Sequence, residues 1–191
     1  AVLSYYRDKL AGGAVTRRKF HIMLVGPGGV GKTMVACKLT KRAYSGAEDT
    51  TTHGVETCAF VLSITVHHAI TPLPASFQFP GPDGTTLHAR VTDCGGQSAY
   101  QTLHGVVMHP NCVYVVMWNP RAGTTQGNVK AFLHNIATHA PSAPIVLAAT
   151  HADLGTVSEE VSVADLRRWF NIVEEAVLPV SGLTGAGLEE L

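Results

Sequence analysis

One eight-residue run, Gly26-Pro27-Gly28-Gly29-Val30-Gly31-Lys32-Thr33, restricts the fold more than any other stretch. Its spacing is G-x-x-x-x-G-K-[ST], in which glycines let the backbone curl until successive N–H groups converge on an anion, at the positive end of the next helix. The flanks fit that reading. Phe20 to Val25 is a short apolar run, as a parallel strand buried on both faces requires. Met34 to Ala43 sets Met34, Val35, Cys37, Leu39 and Ala43 among Lys38, Lys41 and Arg42, which predicts a helix. A plain glycine turn is the bland alternative, and the full pattern in this setting outweighs it. Strand, loop and helix together predict an α/β P-loop fold. A nucleoside triphosphate would lie on Gly26, Gly28, Gly29, Val30, Gly31, Lys32, Thr33 and Met34, with Lys32 on the outer phosphates and the Thr33 hydroxyl on Mg²⁺.

The 191 residues suffice for one well-buried domain. Charged residues make up only 15% of the chain and apolar ones 46%, so some of the surface is apolar enough to be covered in a larger assembly. A net charge of zero argues against general affinity for nucleic acid or anionic membrane. No apolar run approaches the length of a membrane span. Cys37, Cys58, Cys94 and Cys112 are widely spaced single residues, a usage that suits reduced thiols in the cytoplasm. The ends of the chain predict an excised domain. Residues 1–19 read as a connector helix and 20–191 as the nucleotide-binding domain, cut in or before its last helix.

Further along, Tyr44 to His53 is polar and threonine-rich, where a loop could order around the triphosphate through Thr52, a metal ligand from Thr52-His53-Gly54-Val55-Glu56. Val55 to Val66 reads as a strand and Thr86 to Thr92 as its returning partner. The proline-rich segment between them, closing at Pro82-Asp83-Gly84, makes an enlarged hairpin, with a short β segment at Phe77-Gln78-Phe79. Asp93-Cys94-Gly95-Gly96-Gln97 ends the returning strand. There Asp93 can hold Mg²⁺ through water, the Gly96 N–H can meet the terminal phosphate, and Gln97 can orient an attacking water. Ser98 to His109 would be a second switch segment.

Cys112 to Trp118 and Ile145 to Ala149 read as buried parallel strands, and Asn128 to His139 as a helix with Val129, Phe132, Leu133 and Ile136 on one face. Thr150-His151-Ala152-Asp153 follows the second of these strands. A carboxylate at Asp153 can accept from the N1–H and exocyclic amine of guanine, groups that adenine does not present. Val163 to Val177 has helical spacing, with Leu166, Trp169, Phe170 and Val173 inward. After a strand at Leu178 to Val180, Ser181, Gly182 and Leu183 would support the base, and Leu188 to Leu191 opens a final helix. His67 and His68 point to opposite faces of a strand and make a poor metal pair.

With these motifs in order, the chain resembles the Ras-like small GTPases from about Phe20 onward. Thr150-His151-Ala152-Asp153, Thr52 to Glu56 and the Gly95 to His104 pattern are similar to those of Roc domains in the ROCO family. The leading Tyr5 to Gly13 looks like that family's connector from leucine-rich repeats. The resemblance implies a mostly parallel six-stranded sheet with helices on both faces, GTP and GDP binding, and slow Mg²⁺-dependent hydrolysis with Gln97, Lys32 and Thr52 as catalytic residues. It also implies neighbouring COR and leucine-rich-repeat domains, with dimerisation through the COR domain. Ser98 stands where many relatives are acidic, and Leu183 where small GTPases often carry lysine. A nucleotide-gated scaffold with little hydrolysis is the competing function, and an ATPase or kinase of the wider P-loop class is a third.

Overall fold

The structure, a computed structural model, describes residues 19–41, 76–80, 86–94, 108–121, 128–155 and 162–191. In chain order these form β1 (Lys19–Val25), α1 (Lys32–Leu39), β2 (Ser76–Pro80), β3 (Thr86–Asp93), β4 (Cys112–Trp118), α2 (Asn128–His139), β5 (Ile145–Ala149), α3 (Val163–Leu166) and β6 (Leu178–Pro179). The connector at 1–18, the first switch with Thr52, the strand at 55–66, and Gly96, Gln97 and His104 lie outside the described residues.

The sheet runs in the order β2-β3-β1-β4-β5-β6. Only the β2–β3 pair is antiparallel. The sixth strand, expected over Leu178 to Val180, contributes two residues, Leu178 and Pro179, paired with Ala148 and Ala149. The sheet therefore consists of five substantial strands and a short edge pairing.

Strand alternation sorts the core into two layers. Met23 and Val25 of β1, Tyr114 and Val116 of β4, and Ile145 and Leu147 of β5 pack on one side with Phe132, Leu133 and Ile136 of α2. Phe20, Ile22 and Leu24, Val113, Val115 and Met117, and Val146 and Ala148 pack on the other with Val35 and Ala36 of α1. All seven residues of β4 are buried, which accounts for its unbroken apolar run.

The antiparallel partner of β3 is Ser76–Pro80, with Phe77 opposite Ala89, at the short β segment expected over Phe77 to Phe79, while the strand expected over Val55 to Val66 lies outside the described residues. Two expectations need correction. The helix expected over Val163 to Val177 is a single turn, Val163–Leu166, capped by the Ser162 hydroxyl accepting from the Asp165 N–H. Its apolar spacing was helical, but the start of β5 competes for the backbone. Ile145 N–H donates to Asn171 O (2.9 Å) and Val173 N–H donates to Ile145 O (3.0 Å), drawing Ile172 into a β-bridge. Trp169 consequently faces outward, 81% exposed, while Ile172 is buried. Finally, residues 186–190 form turns in place of a helix, and Leu191 is buried in the α1-side layer.

Candidate functional site

The parallel register aligns the strand ends that carry the motifs. Leu24 of β1 sits opposite Asp93 of β3 and Val115 of β4, so the glycine loop leaves β1 beside Asp93 and the end of β4. Gly26 passes against that end. A Cβ there would lie 2.0 Å from the Met117 carbonyl oxygen, so only glycine fits. Gly29 and Gly31 have φ of 74° and 88°, the left-handed conformation that curls the loop, and α1 starts at Lys32 directly afterwards. Gly28 differs from these. It is exposed, and a Cβ on it would meet no protein atom within 4 Å.

Lys32 is buried, and its ammonium folds back over the loop, donating to Gly26 O (2.9 Å) and Pro27 O (2.7 Å). Burial lowers its pKa below the ordinary lysine value, against the opposing pull of Asp93. Next along α1, the Thr33 hydroxyl donates to Asp93 Oδ2 at 2.5 Å. A hydroxyl and a carboxylate thus meet at the mouth of the glycine loop, both hard oxygen ligands of the kind that Mg²⁺ takes. Among the described residues no three His, Cys, Asp or Glu side chains gather into a group that could hold a metal.

The second half of the site is assembled around the end of β5. Trp118 O at the end of β4 accepts from both the Thr150 N–H (2.8 Å) and the Thr150 hydroxyl (3.0 Å). That hydroxyl lies 3.0 Å from His151 Nδ1, and His151 takes a left-handed φ of 61°. A 3₁₀ turn, Ala152–Leu154, then presents Asp153 at the surface. The fully buried Ser181 donates its hydroxyl to Asp153 Oδ1 at 2.5 Å, and this bond holds the carboxyl pKa below its usual range. Ser181 Oγ in turn accepts from the Thr184 N–H (3.1 Å), which fixes its orientation. Gly182 is seated on α1, where a Cβ would come 2.8 Å from Met34 Cβ, and Leu183 is 63% exposed beside it.

One contributor carried no motif signal. Arg121, just past the end of β4, donates from Nη2 to the carbonyls of Leu154 and Gly155 (2.7 Å to the latter), tying down the exit of the Asp153 turn. In the sequence it follows Asn119-Pro120 and belongs to none of the motifs. In the structure Asn119 Oδ1 accepts the Arg121 N–H at 2.9 Å.

A loop that curls glycines over a buried lysine, with a Thr–Asp pair at its mouth and a Thr-His-x-Asp turn across the same sheet edge, matches what a nucleotide-binding α/β domain presents. The family profile described as "Roc: Ras of Complex, Roc, domain of DAPkinase" matches residues 21–153. The chain belongs to the Roc family. It is thereby a Ras-like domain of the ROCO group, as the motifs implied. Two curated relatives come from Dictyostelium discoideum. "Probable serine/threonine-protein kinase roco6" is 40% identical over 82 residues, covering 40% of this chain and 4% of the relative. "Probable serine/threonine-protein kinase pats1" is 28% identical over 156 residues, covering 80% of this Roc chain and 5% of the relative. The chain thus spans a small fraction of either kinase. Among solved structures, Methanosarcina barkeri Roco2 RocCORdC bound to GDP shares the fold, with a TM-score of 0.64 at 17% identity over 91% of this chain and 46% of that one. Among the described residues, no helix is long and apolar enough to cross a membrane.

Proposed function

We propose that this Roc domain is a guanine-nucleotide switch that binds GTP and GDP with Mg²⁺ and hydrolyses GTP slowly. The observation that carries the reading is the convergence, on one edge of a parallel sheet, of the Lys32 cradle, the Thr33–Asp93 pair and the Ser181-held Asp153. A ligand of Roco2's kind, GDP, needs those three things: donors for phosphates, oxygens for a cation and an acceptor for the guanine edge.

Gly26, Gly28, Gly29, Val30, Gly31 and Met34 would line the phosphates, with Lys32 exchanging its two carbonyl acceptors for phosphate oxygens. Gly96 N–H would contribute at the terminal phosphate. Thr33 and Thr52 would hold Mg²⁺, with Asp93 behind them; when bound, the cation would neutralise charge on the phosphates. Asp153 would accept from guanine, with Thr150, His151, Ser181, Gly182 and Leu183 around the base. Gln97 would orient the water. Nothing among these groups is a strong base, so slow turnover follows, speeded by another domain or protein. A COR neighbour, leucine-rich repeats, COR-mediated dimerisation and a cytoplasmic setting belong to the same proposal.

Single-turnover GTP hydrolysis tests the catalytic part. Gln97→Leu is expected to bind GTP normally while its rate falls to that of a Lys32→Ala control. An unchanged rate would remove Gln97 from the mechanism. Ser98, in place of an acidic residue, favours the scaffold reading as the runner-up, and phosphate release well above the Lys32→Ala control counts against it.

A further inference from the structure

We propose that Arg121 is a positioning residue for base selection, acting through the Asp153 turn without touching the nucleotide. The inference rests on the guanine reading above and deepens it. The turn Ala152–Leu154 is held on its entry side by Ala152 N–H donating to Val180 O (3.1 Å) and on its acceptor face by the Ser181 hydroxyl on Asp153. Its exit is secured by Arg121, whose guanidinium reaches across from the end of β4, 33 residues back in sequence, to the carbonyls of Leu154 and Gly155. A cation at the carbonyl end of a helical turn also meets that end's partial negative charge.

The geometry around Arg121 leaves this reach well defined. The Asn119 side chain fixes the Arg121 backbone by accepting its N–H at 2.9 Å, and the guanidinium lies in ordinary contact distance of Gly155, 3.7 Å from where a Cβ would stand. The same strand end also carries Trp118 O, which accepts twice from Thr150. The end of β4 therefore grips the base loop at both of its ends, at Thr150 and at Leu154–Gly155. Arg121, Leu154 and Gly155 are exposed, so water can take over both carbonyls if the guanidinium is removed. Truncation should then leave the fold intact and loosen only the aim of Asp153, which decides between bases by accepting from the guanine amine.

The test is competition of unlabelled diphosphates against a fluorescent GDP analogue on the 191-residue chain, with Arg121→Ala and Arg121→Lys beside the parent. GDP and inosine diphosphate differ only in the exocyclic amine, so their affinity ratio reads the Asp153 contact directly. Arg121→Ala is expected to shrink that ratio by at least about threefold, a modest share of a charge-assisted contact, with the thermal midpoint of the nucleotide-free chain unchanged. Arg121→Lys, which keeps the charge but ends in an ammonium of different reach and shape, should fall between. A parent-like ratio in Arg121→Ala, or an equal loss for both nucleotides, would overturn the positioning role while leaving guanine binding in place. If ADP displaced the probe from the parent as well as GDP does, the guanine reading would fail, and this inference with it.

Discussion

At the scale of single residues, the glycines of the phosphate loop divide by cause. Gly26 is required by the chain itself, because a Cβ would sit 2.0 Å from the Met117 carbonyl oxygen. Gly26→Ala is expected to destabilise the domain by more than about 2 kcal/mol in chemical denaturation. Gly28 has open space around it, so Gly28→Ala should stay within about 0.5 kcal/mol of the parent, and any loss of nucleotide binding or hydrolysis reports crowding of the ligand. Lys32 gives a pH signature. Its folded pKa lies below the ordinary 10.5, so the unfolded chain holds the extra proton between those two values, and stability rises with pH across that window. In nucleotide-free protein, Lys32→Met should lack that part of the slope in denaturation midpoints followed over alkaline pH. Such roles were half legible in sequence. The spacing identified the lysine and the glycines together, but which glycine answers to packing and which to open space depends on where β4 ends.

At the scale of elements, the strands were read from unbroken apolar runs and, for β3, from alternation, which placed Thr86 to Thr92 where Thr86–Asp93 is found. Cys112–Trp118 and Ile145–Ala149 appear where their apolar runs placed them, and α2 spans Asn128–His139 as its periodicity required. What sequence could not convey was competition for backbone partners. The apolar spacing of 163–177 is compatible with a helix, yet Ile145 takes Asn171 and Val173 as hydrogen-bond partners, and Trp169 is left outside. The two environments make a paired prediction. Leu133→Ala, fully buried on the inner face of α2, should cost about 2–5 kcal/mol, whereas Trp169→Ala should cost no more than about 0.5 kcal/mol. Equal losses in the two variants would show that the 163–177 segment packs as a helix after all. β2 teaches the same lesson: Phe77-Gln78-Phe79 carried only a faint β signal, and its pairing with β3 comes from tertiary contact.

At the scale of the whole molecule, the described loops with a proposed role leave the same end of the parallel strands, and β4 at the centre of the sheet organises them. Met117 O borders the phosphate loop, Trp118 O holds Thr150, and Arg121 closes the far end of the base turn. Binding that joins the two halves across this edge would select a nucleotide by its phosphates and its base at once. The central claim is that the base is guanine, chosen by Asp153. Equilibrium competition with xanthosine, guanosine and adenosine diphosphates, on the parent and on Asp153→Asn, tests it most directly. The substitution keeps an oxygen for the Ser181 hydroxyl but replaces an acceptor of the guanine amine with an amide donor suited to the xanthine carbonyl. The parent is expected to retain GDP against about a hundredfold excess of ADP, and Asp153→Asn to turn its preference to the xanthine nucleotide. Equal displacement by ADP in the parent, or an unaltered GDP preference in Asp153→Asn, would contradict that claim.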